Sequence, residues 1–478
     1  MYFERVILQR VEDHLPGFLL SSPTTSTMDI LLQLARGVLG LVVILAIAYI
    51  FSNNRKRLDW RMIGTGILLQ IVLAVFLLKG QVLADVFAPL GWPTAVFSWI
   101  SSQVVLLLTF TTEGAIFVFG DLARPPTDNM PSGTPLETGQ SWGSSIAFQV
   151  LPTIIFFGSL MAILYHLGIM QRIVQAMAYV VRRLMRTSGA ESLSVTANIF
   201  IGQSEAPLVI RPYLERLTTS ELMAVMTGGM ATIAGGVLAA YVVFLGAPYA
   251  AAHNIAMDVA QLRFAEHLLS ASVMAAPAAL IIAKILIPET DTPETGGSVE
   301  AAIDAPSRNI IDAAAAGAGD GLKLMLNVAA MLIAFLALIA LLDYMLGWGG
   351  NFVGIDLSMG RLLGWMFAPL AWLIGVPWVD ASQFGALLGT KIVATEFVAY
   401  LELAGHITHN ALEPRTVIMA TFALCGFANF ASIAIQIGGI GPLAPSRKSE
   451  LAQLGLKAVL AGTLANLMTA TIAGVLMS

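Results

Sequence analysis

The stretch Asn198-Ile199-Phe200-Ile201-Gly202-Gln203-Ser204-Glu205-Ala206-Pro207-Leu208 decides how this chain folds. Two amides, a hydroxyl and a carboxylate stand close together in it, and a proline follows almost at once. Gly202 and Pro207 prevent one unbroken helix through the segment, so backbone groups are left free beside a carboxylate. The surroundings are overwhelmingly apolar. Of 478 residues, 57% are hydrophobic and 12% charged, against about 25% charged in a soluble chain. Several windows approach the roughly 20 apolar residues that cross a bilayer core. Non-helical backbone at membrane depth is tolerated only where it is buried in protein or lines a wet cavity. Residues 190–216 are therefore expected to form a re-entrant hairpin whose tip holds something polar.

The fold class that follows is an all-α polytopic membrane protein. The formal net charge of −5 says little, because orientation depends on where the basic residues sit. A single cysteine, Cys425, excludes an intrachain disulfide and a Cys-cluster metal site. Charged residues from Glu4 to Asp13 interrupt the start, so no cleavable signal peptide is expected there. Residues 1–28 are expected to be a polar or interfacial lead-in.

Basic clusters set the topology. Span 31–51 ends at Asn53-Asn54-Arg55-Lys56-Arg57, and span 145–169 ends near Arg172, Arg182, Arg183 and Arg186. Both clusters mark the cytoplasmic side, which requires an even number of crossings between them. Segments 62–79, 95–119 and 145–169 make an odd number. The segment 95–119, studded with Ser98, Ser101, Ser102, Gln103, Thr109, Thr111, Thr112 and Glu113, is expected not to cross, lying in the outer interface or dipping and returning. The Pro/Gly-rich residues 121–143 are expected to be a surface loop. Residues 170–186 are expected to form an amphipathic interfacial helix, with Ile173, Val174, Met177, Val180 and Val181 on its apolar face. Spans at 222–246 and 265–287, an acidic loop at 288–320 and a span at 323–346 follow.

The second half repeats the first. Residues 359–374, broken by Pro369, match the interfacial helix, and 382–404 form a second hairpin around Glu396. Spans at 414–440 and 455–477 complete the chain. Eight crossings and two opposed hairpins then place both termini outside. Each half holds a hairpin with a glutamate and then a span interrupted by small and polar residues, around Thr232 and around Asn429. Inverted repeats with discontinuous helices are the architecture of secondary transporters. The expected division is residues 1–169 as lead-in and scaffold, 170–287 as repeat one, 288–346 as loop and scaffold span, and 347–478 as repeat two.

An ionised carboxylate at membrane depth costs about 2.5–3.5 kcal/mol on insertion scales, and intramembrane ionisable residues are functional by default. Glu205 and Glu396 could each cap their own hairpin, yet matched positions in two repeats point to a site. Asn429 and Ser432 lie one helical turn apart and could also serve as interhelical hydrogen-bond glue. Thr232 and Asn198 offer hard oxygens suited to a small cation. Thr232 is equally suited to back-bonding onto its own helix. Phe427 could stack on a flat ligand or pack in the core. The polar Asn327, Asp343 and Lys391 are placed by nothing in the sequence. The chain contains no nucleophile elbow, Walker loop or HExxH pair, so an enzyme is not expected.

Three motifs carry a resemblance: Gly202-Gln203-Ser204-Glu205-Ala206-Pro207-Leu208, Glu396-Phe397-Val398-Ala399-Tyr400 and Cys425-Gly426-Phe427-Ala428-Asn429. With them, the chain from about residue 31 onward resembles the concentrative nucleoside transporter family in its bacterial, eight-span form. The resemblance implies a homotrimer in the inner membrane and a transport part that moves like an elevator. It implies that Gln203, Ser204 and Glu205 face the nucleobase, with Val237 on that side. Glu396, Asn429 and Ser432 would bind the ribose hydroxyls, with Phe427 nearby. Sodium would sit on the Asn198 and Thr232 side chains and the backbone carbonyls of Ile201 and Ile233. Sodium is favoured over a proton as coupling ion; no organic cofactor and no nucleic-acid partner are implied. Thr395 stands where an asparagine is common in the family.

Overall fold

The computed structural model describes residues 27–123, 146–296, 307–352, 354 and 357–477. The lead-in before Thr27 and nearly all of the 121–143 loop lie outside the described residues. Every long element is a helix: α1 (Thr27–Ile50), α2 (Trp60–Leu78), α3 (Trp92–Phe119), α4 (Leu151–His166) and the interfacial α5 (Ile169–Met185). Hairpin one follows, made of α6 (Gly189–Ala197) and the 3-10 segment Ala206–Arg216. After it come α7 (Thr219–Ala231), α8 (Gly235–His253), α9 (Met257–Leu286) and α10 (Ile310–Asn351). The second repeat is α11 (Met359–Leu373), hairpin two made of α12 (Trp378–Val393) and α13 (Glu396–Thr408), then α14 (Pro414–Leu424), α15 (Phe430–Ile440) and α16 (Lys448–Leu476).

Local chemistry explains where these helices begin. Capping boxes, Ser188 with Glu191 and Thr218 with Glu221, open α6 and α7, each satisfying backbone donors that a helix start leaves free. Asn309, Ser358, Thr395 and Asn429 cap α10, α11, α13 and α15 with their side chains. The helices then pack in two shells. The apolar windows of α9 and α16 are 89% and 83% buried, against 11% for α10, so α9 and α16 form the centre and α10 lies at the periphery. Small residues allow close approach of α4 and α10: a Cβ on Gly317 would come within 2.5 Å of the Gly158 carbonyl oxygen, the backbone-to-backbone packing that small residues give membrane helices.

Eight helical stretches among the described residues are long and apolar enough to cross a membrane. They include Ala88–Phe119 and omit 414–440, so the set differs from the sequence expectation by one exchange. Segment 95–119 lies within one unbroken helix; it does not dip and return, because Ser101, Ser102, Thr109, Thr111 and Thr112 bond carbonyls of their own helix and leave it continuous, while Ser98 donates to Glu266. Residues 414–440 are two half-helices joined by the non-helical Cys425–Asn429. Three further expectations change. The 288–320 loop ends at Asn309, whose side chain accepts from the Asp312 N–H and starts α10 early. Pro369 lies inside α11 without breaking it. On α5 the packed stripe is Met170, Val174, Ala178, Val181 and Met185, while Ile173 and Val180 are exposed. A helix lying at an interface has two apolar directions, protein and lipid, and the sequence pattern merges them.

Candidate functional site

Four interrupted elements meet at the centre: both hairpin tips and the breaks between α7 and α8 and between α14 and α15. Hairpin two turns tightly at Ala394-Thr395, which brings Glu396 to the first turn of α13. There the helix macrodipole favours a carboxylate. Glu396 is 3% exposed. It accepts from the Asn429 Nδ2 at 2.8 Å and from the Tyr241 hydroxyl at 3.0 Å. Asn429 is the N-cap of α15, and its Oδ1 accepts the Ser432 N–H at 2.8 Å. Two helix N-termini thus converge on one buried carboxylate, a geometry that serves hydroxyl and anionic groups alike.

Hairpin one reaches the same place through Gln203. Its Nε2 donates to the Ser432 hydroxyl at 3.0 Å, and its Oε1 accepts from the Gln436 Nε2 at 3.1 Å. Gln436 also donates to the Met226 carbonyl at 2.9 Å, within α7. Gln203, Glu396, Asn429 and Ser432 therefore form one connected polar layer between the repeats. The side chains of Gln203, Glu396, Asn429 and Ser432 pair with one another or with Gln436, whose own Oε1 is left without a partner; the pairing lowers the cost of burying polar groups. A ligand entering here must replace those bonds with its own. Val237 is buried on α8, one helical turn before Tyr241, and Phe427 is partly buried in the second break.

Glu205 departs from the expected symmetry. Its carboxylate accepts the Gly202 N–H at 3.3 Å, folding back on its own turn, and the residue is exposed. Ser204 beside it is partly buried, with its Cα and Cβ against Gly439. In this conformation Glu205 caps its own hairpin, the alternative that the sequence leaves open, whereas Glu396 binds across the repeat interface.

The first break gathers oxygen donors. Asn198 is 1% exposed; its Nδ2 donates to the Ser194 carbonyl at 3.1 Å, and its Oδ1 has no hydrogen-bond partner. The Ser194 and Thr196 hydroxyls, on the same arm, are buried and unpartnered too. Thr232 back-bonds to the Gly228 carbonyl at 2.8 Å, which leaves an oxygen lone pair available. Ile201 and Ile233 are buried, and both lie outside helices. The Gly235 N–H at the start of α8 donates to the Phe200 carbonyl at 3.1 Å, which holds the apex of hairpin one against the break.

Three residues of this centre escape the sequence reading. Gln436 lies on the Asn429–Ser432 face of α15 by the i, i+3, i+7 spacing, and that spacing could have found it. Tyr241 follows Val237 by one turn on α8 and could have been found the same way. Lys391 carries no such signal; only the tertiary packing places it.

Comparison with known proteins extends this geometry. Residues 39–122 and 267–474 match the families described as the N-terminus and C-terminus of Na+ dependent nucleoside transporters. Residues 147–248 match the family described as nucleoside recognition. The chain is 44% identical over 440 residues to the uncharacterized transporter YutK of Bacillus subtilis (strain 168), covering 92% of this chain and 98% of the relative. It is 36% identical over 453 residues to sodium/nucleoside cotransporter 1 of Mus musculus, covering 91% of this chain and 63% of that one. Among solved structures it is similar to CNTnw in an inward-facing substrate-bound state, with a TM-score of 0.80 and 39% identity over 93% of this chain and 98% of that one. A CNTnw variant in an outward-facing state gives a TM-score of 0.81 at 39% identity, again over 93% and 98% of the two chains.

Proposed function

The chain belongs to the concentrative nucleoside transporter family, a family of Na+ dependent nucleoside transporters and not of enzymes, and we propose that it imports nucleosides by symport with sodium. The observation that supports the sodium assignment is the buried, unpartnered Asn198 Oδ1 beside the first helix break. An amide oxygen held without a partner in a dry interior is costly, and a small hard cation removes that cost. Asn198 and Thr232, with the carbonyls of Ile201 and Ile233, are the ligands in this reading. On the nucleoside side, Glu396, Asn429 and Ser432 take the ribose hydroxyls, with Phe427 nearby. Gln203, Ser204 and Glu205 take the base, with Val237 lining that side. Exchange of the Gln203–Ser432 and Glu396–Asn429 bonds for bonds to ligand accounts for selectivity, since a site built around hydroxyls strongly rejects analogues lacking them.

The movement proposed is elevator-like. Residues 170–287 and 347–478 hold all of these groups and share one core around α9 and α16. Residues 1–169 and 288–346 form the scaffold, where α4 and α10 pack through Gly158, Gly317 and Gly321. Exposed apolar faces on α1 and α10, including Leu31, Val38, Ile333 and Tyr344, suit the bilayer and the contacts of a homotrimer. With α3 along the outer face of a bacterial inner membrane, both basic clusters stay inside and both termini outside. The test is uptake of radiolabelled uridine into proteoliposomes under an inward sodium gradient or a proton gradient, imposed separately. Accumulation with sodium alone is expected; accumulation with protons alone would assign coupling to a carboxylate instead.

A further inference from the structure

Lys391 is a buried cation that the nucleoside and sodium sites do not use. It lies on α12 shortly before Glu396 and is 0% exposed. Its Nζ donates to the Ala423 carbonyl at 2.9 Å and to the Asn466 Oδ1 at 2.8 Å. Asn466, on α16 and equally buried, donates from its Nδ2 to the Ala231 carbonyl at 2.7 Å. Ala423 and Ala231 lie at the carbonyl ends of α14 and α7, where aligned peptide dipoles leave a negative potential. The two breaks touch: a Cβ on Gly426 would meet the Ala231 carbonyl at 2.6 Å. A buried charge persists only where geometry compensates its lost hydration, and two helix C-termini do so here.

Repeat one has a counterpart to this place. The first arm of hairpin one ends at Asn198 and faces the break after α7, and the central α9 reaches it through the Ser272 hydroxyl, which donates to the Ile199 carbonyl at 3.3 Å. The first arm of hairpin two carries Lys391, which faces the break after α14, and the central α16 reaches it through Asn466. At this position repeat one presents an amide oxygen without a partner, and repeat two presents a cation with two acceptors. We propose that the Lys391 ammonium is a tethered cation occupying the repeat-two counterpart of the sodium site, so that transport requires one mobile cation rather than two. The proposal rests on the sodium reading of Asn198.

The experiment is sodium activation of uridine uptake in proteoliposomes for the parent protein, Lys391→Asn, Lys391→Arg and Asn198→Ala. The parent is expected to be hyperbolic, with a Hill coefficient of about one, since that coefficient cannot exceed the number of sites. Lys391→Asn removes the charge and supplies an amide oxygen like that of Asn198. It is expected to become sigmoidal, with a coefficient approaching about two and a several-fold rise in half-activating sodium. Lys391→Arg keeps a cation and stays hyperbolic. A hyperbolic response in Lys391→Asn, whatever its rate, overturns the proposal and leaves the sodium site standing. Uptake that ignores sodium in both the parent and Asn198→Ala overturns the sodium reading and this proposal with it. If Lys391→Asn does not reach the membrane, Asn466→Leu decides, because it keeps the ammonium and removes one acceptor: a hyperbolic response supports the tethered cation and a sigmoidal one overturns it.

Discussion

Hairpin one turns through irregular backbone from Asn198 to Glu205, while hairpin two turns at Ala394 and Thr395 alone. That difference divides the labour between two halves built on one plan. An irregular apex leaves oxygens pointing away from helical hydrogen bonding, and in the first half they gather beside the break after α7. A tight tip places a helix N-terminus at the centre, and in the second half it delivers Glu396 directly to Asn429 and Tyr241. Similar hairpins therefore hold different chemistry: buried oxygens without partners in one, a carboxylate with hydrogen-bonding partners in the other. The bases differ as well. Hairpin one is anchored by an ion pair, Glu191 to Lys284 at 2.8 Å, and Lys284 also meets Glu289 at 3.1 Å. Hairpin two is anchored by Asp380, which accepts from the Glu413 N–H at 3.0 Å and the Thr416 hydroxyl at 2.6 Å.

The largest effect should come from breaking the anchor of hairpin one. Lys284→Met leaves Glu191, whose side chain is 2% exposed, buried and unpaired, and removing one partner of a buried pair costs about 3–5 kcal/mol. Thermal unfolding of the purified protein should show this as a large drop in midpoint. Asp380→Ala should give a smaller one, because neutral donors lose less. Next in size is Glu396→Gln, which removes the negative charge and replaces one of the two accepting oxygens with an amide NH2. Uridine kcat/KM should fall about 100-fold, in line with roughly 2–5 kcal/mol for truncating a buried charged hydrogen-bonding partner. An unchanged value would remove Glu396 from the ribose side.

How much of this was legible beforehand follows from the kind of signal. The hairpins could be read because Gly202-Gln203-Ser204-Glu205 and Thr395-Glu396 interrupt apolar runs, and a polar break in a membrane helix is conspicuous in one dimension. Asn429 and Ser432 were legible for the same reason, and their spacing extends to Gln436. The asymmetry between Glu205 and Glu396 was not, since both occupy matched positions in the sequence. Only the packing shows one folded onto Gly202 and the other bonded across the interface. Lys391 was illegible because its acceptors, Ala423 and Asn466, come from two other helices. Of the two alternatives for 95–119, the dip and return fails for a physical reason: serines and threonines that bond their own helix look like breaks but leave it continuous.

Smaller effects sharpen the comparison. Asn198→Ala removes the unpartnered amide oxygen and should raise half-activating sodium about tenfold, consistent with roughly 1.5–3 kcal/mol for a bond to a charged group, while uridine affinity at saturating sodium stays near the parent value. Glu205→Gln should cost less than Glu396→Gln, within about tenfold in kcat/KM, because its present bond is one 3.3 Å contact to its own turn. Uptake titrations in uridine at fixed sodium check both. Equal losses in the two glutamate variants would restore symmetry to the hairpins and break the division drawn above.

The most direct test of that division is radiosodium entry into proteoliposomes driven by an inward uridine gradient. The parent should accumulate sodium as uridine runs down its gradient. At a sodium concentration near the parent's half-activating value, Asn198→Ala should admit several-fold less sodium than the parent, in line with its weakened sodium affinity. Sodium entry in Asn198→Ala that matches the parent would contradict the placement of the cation in the first repeat.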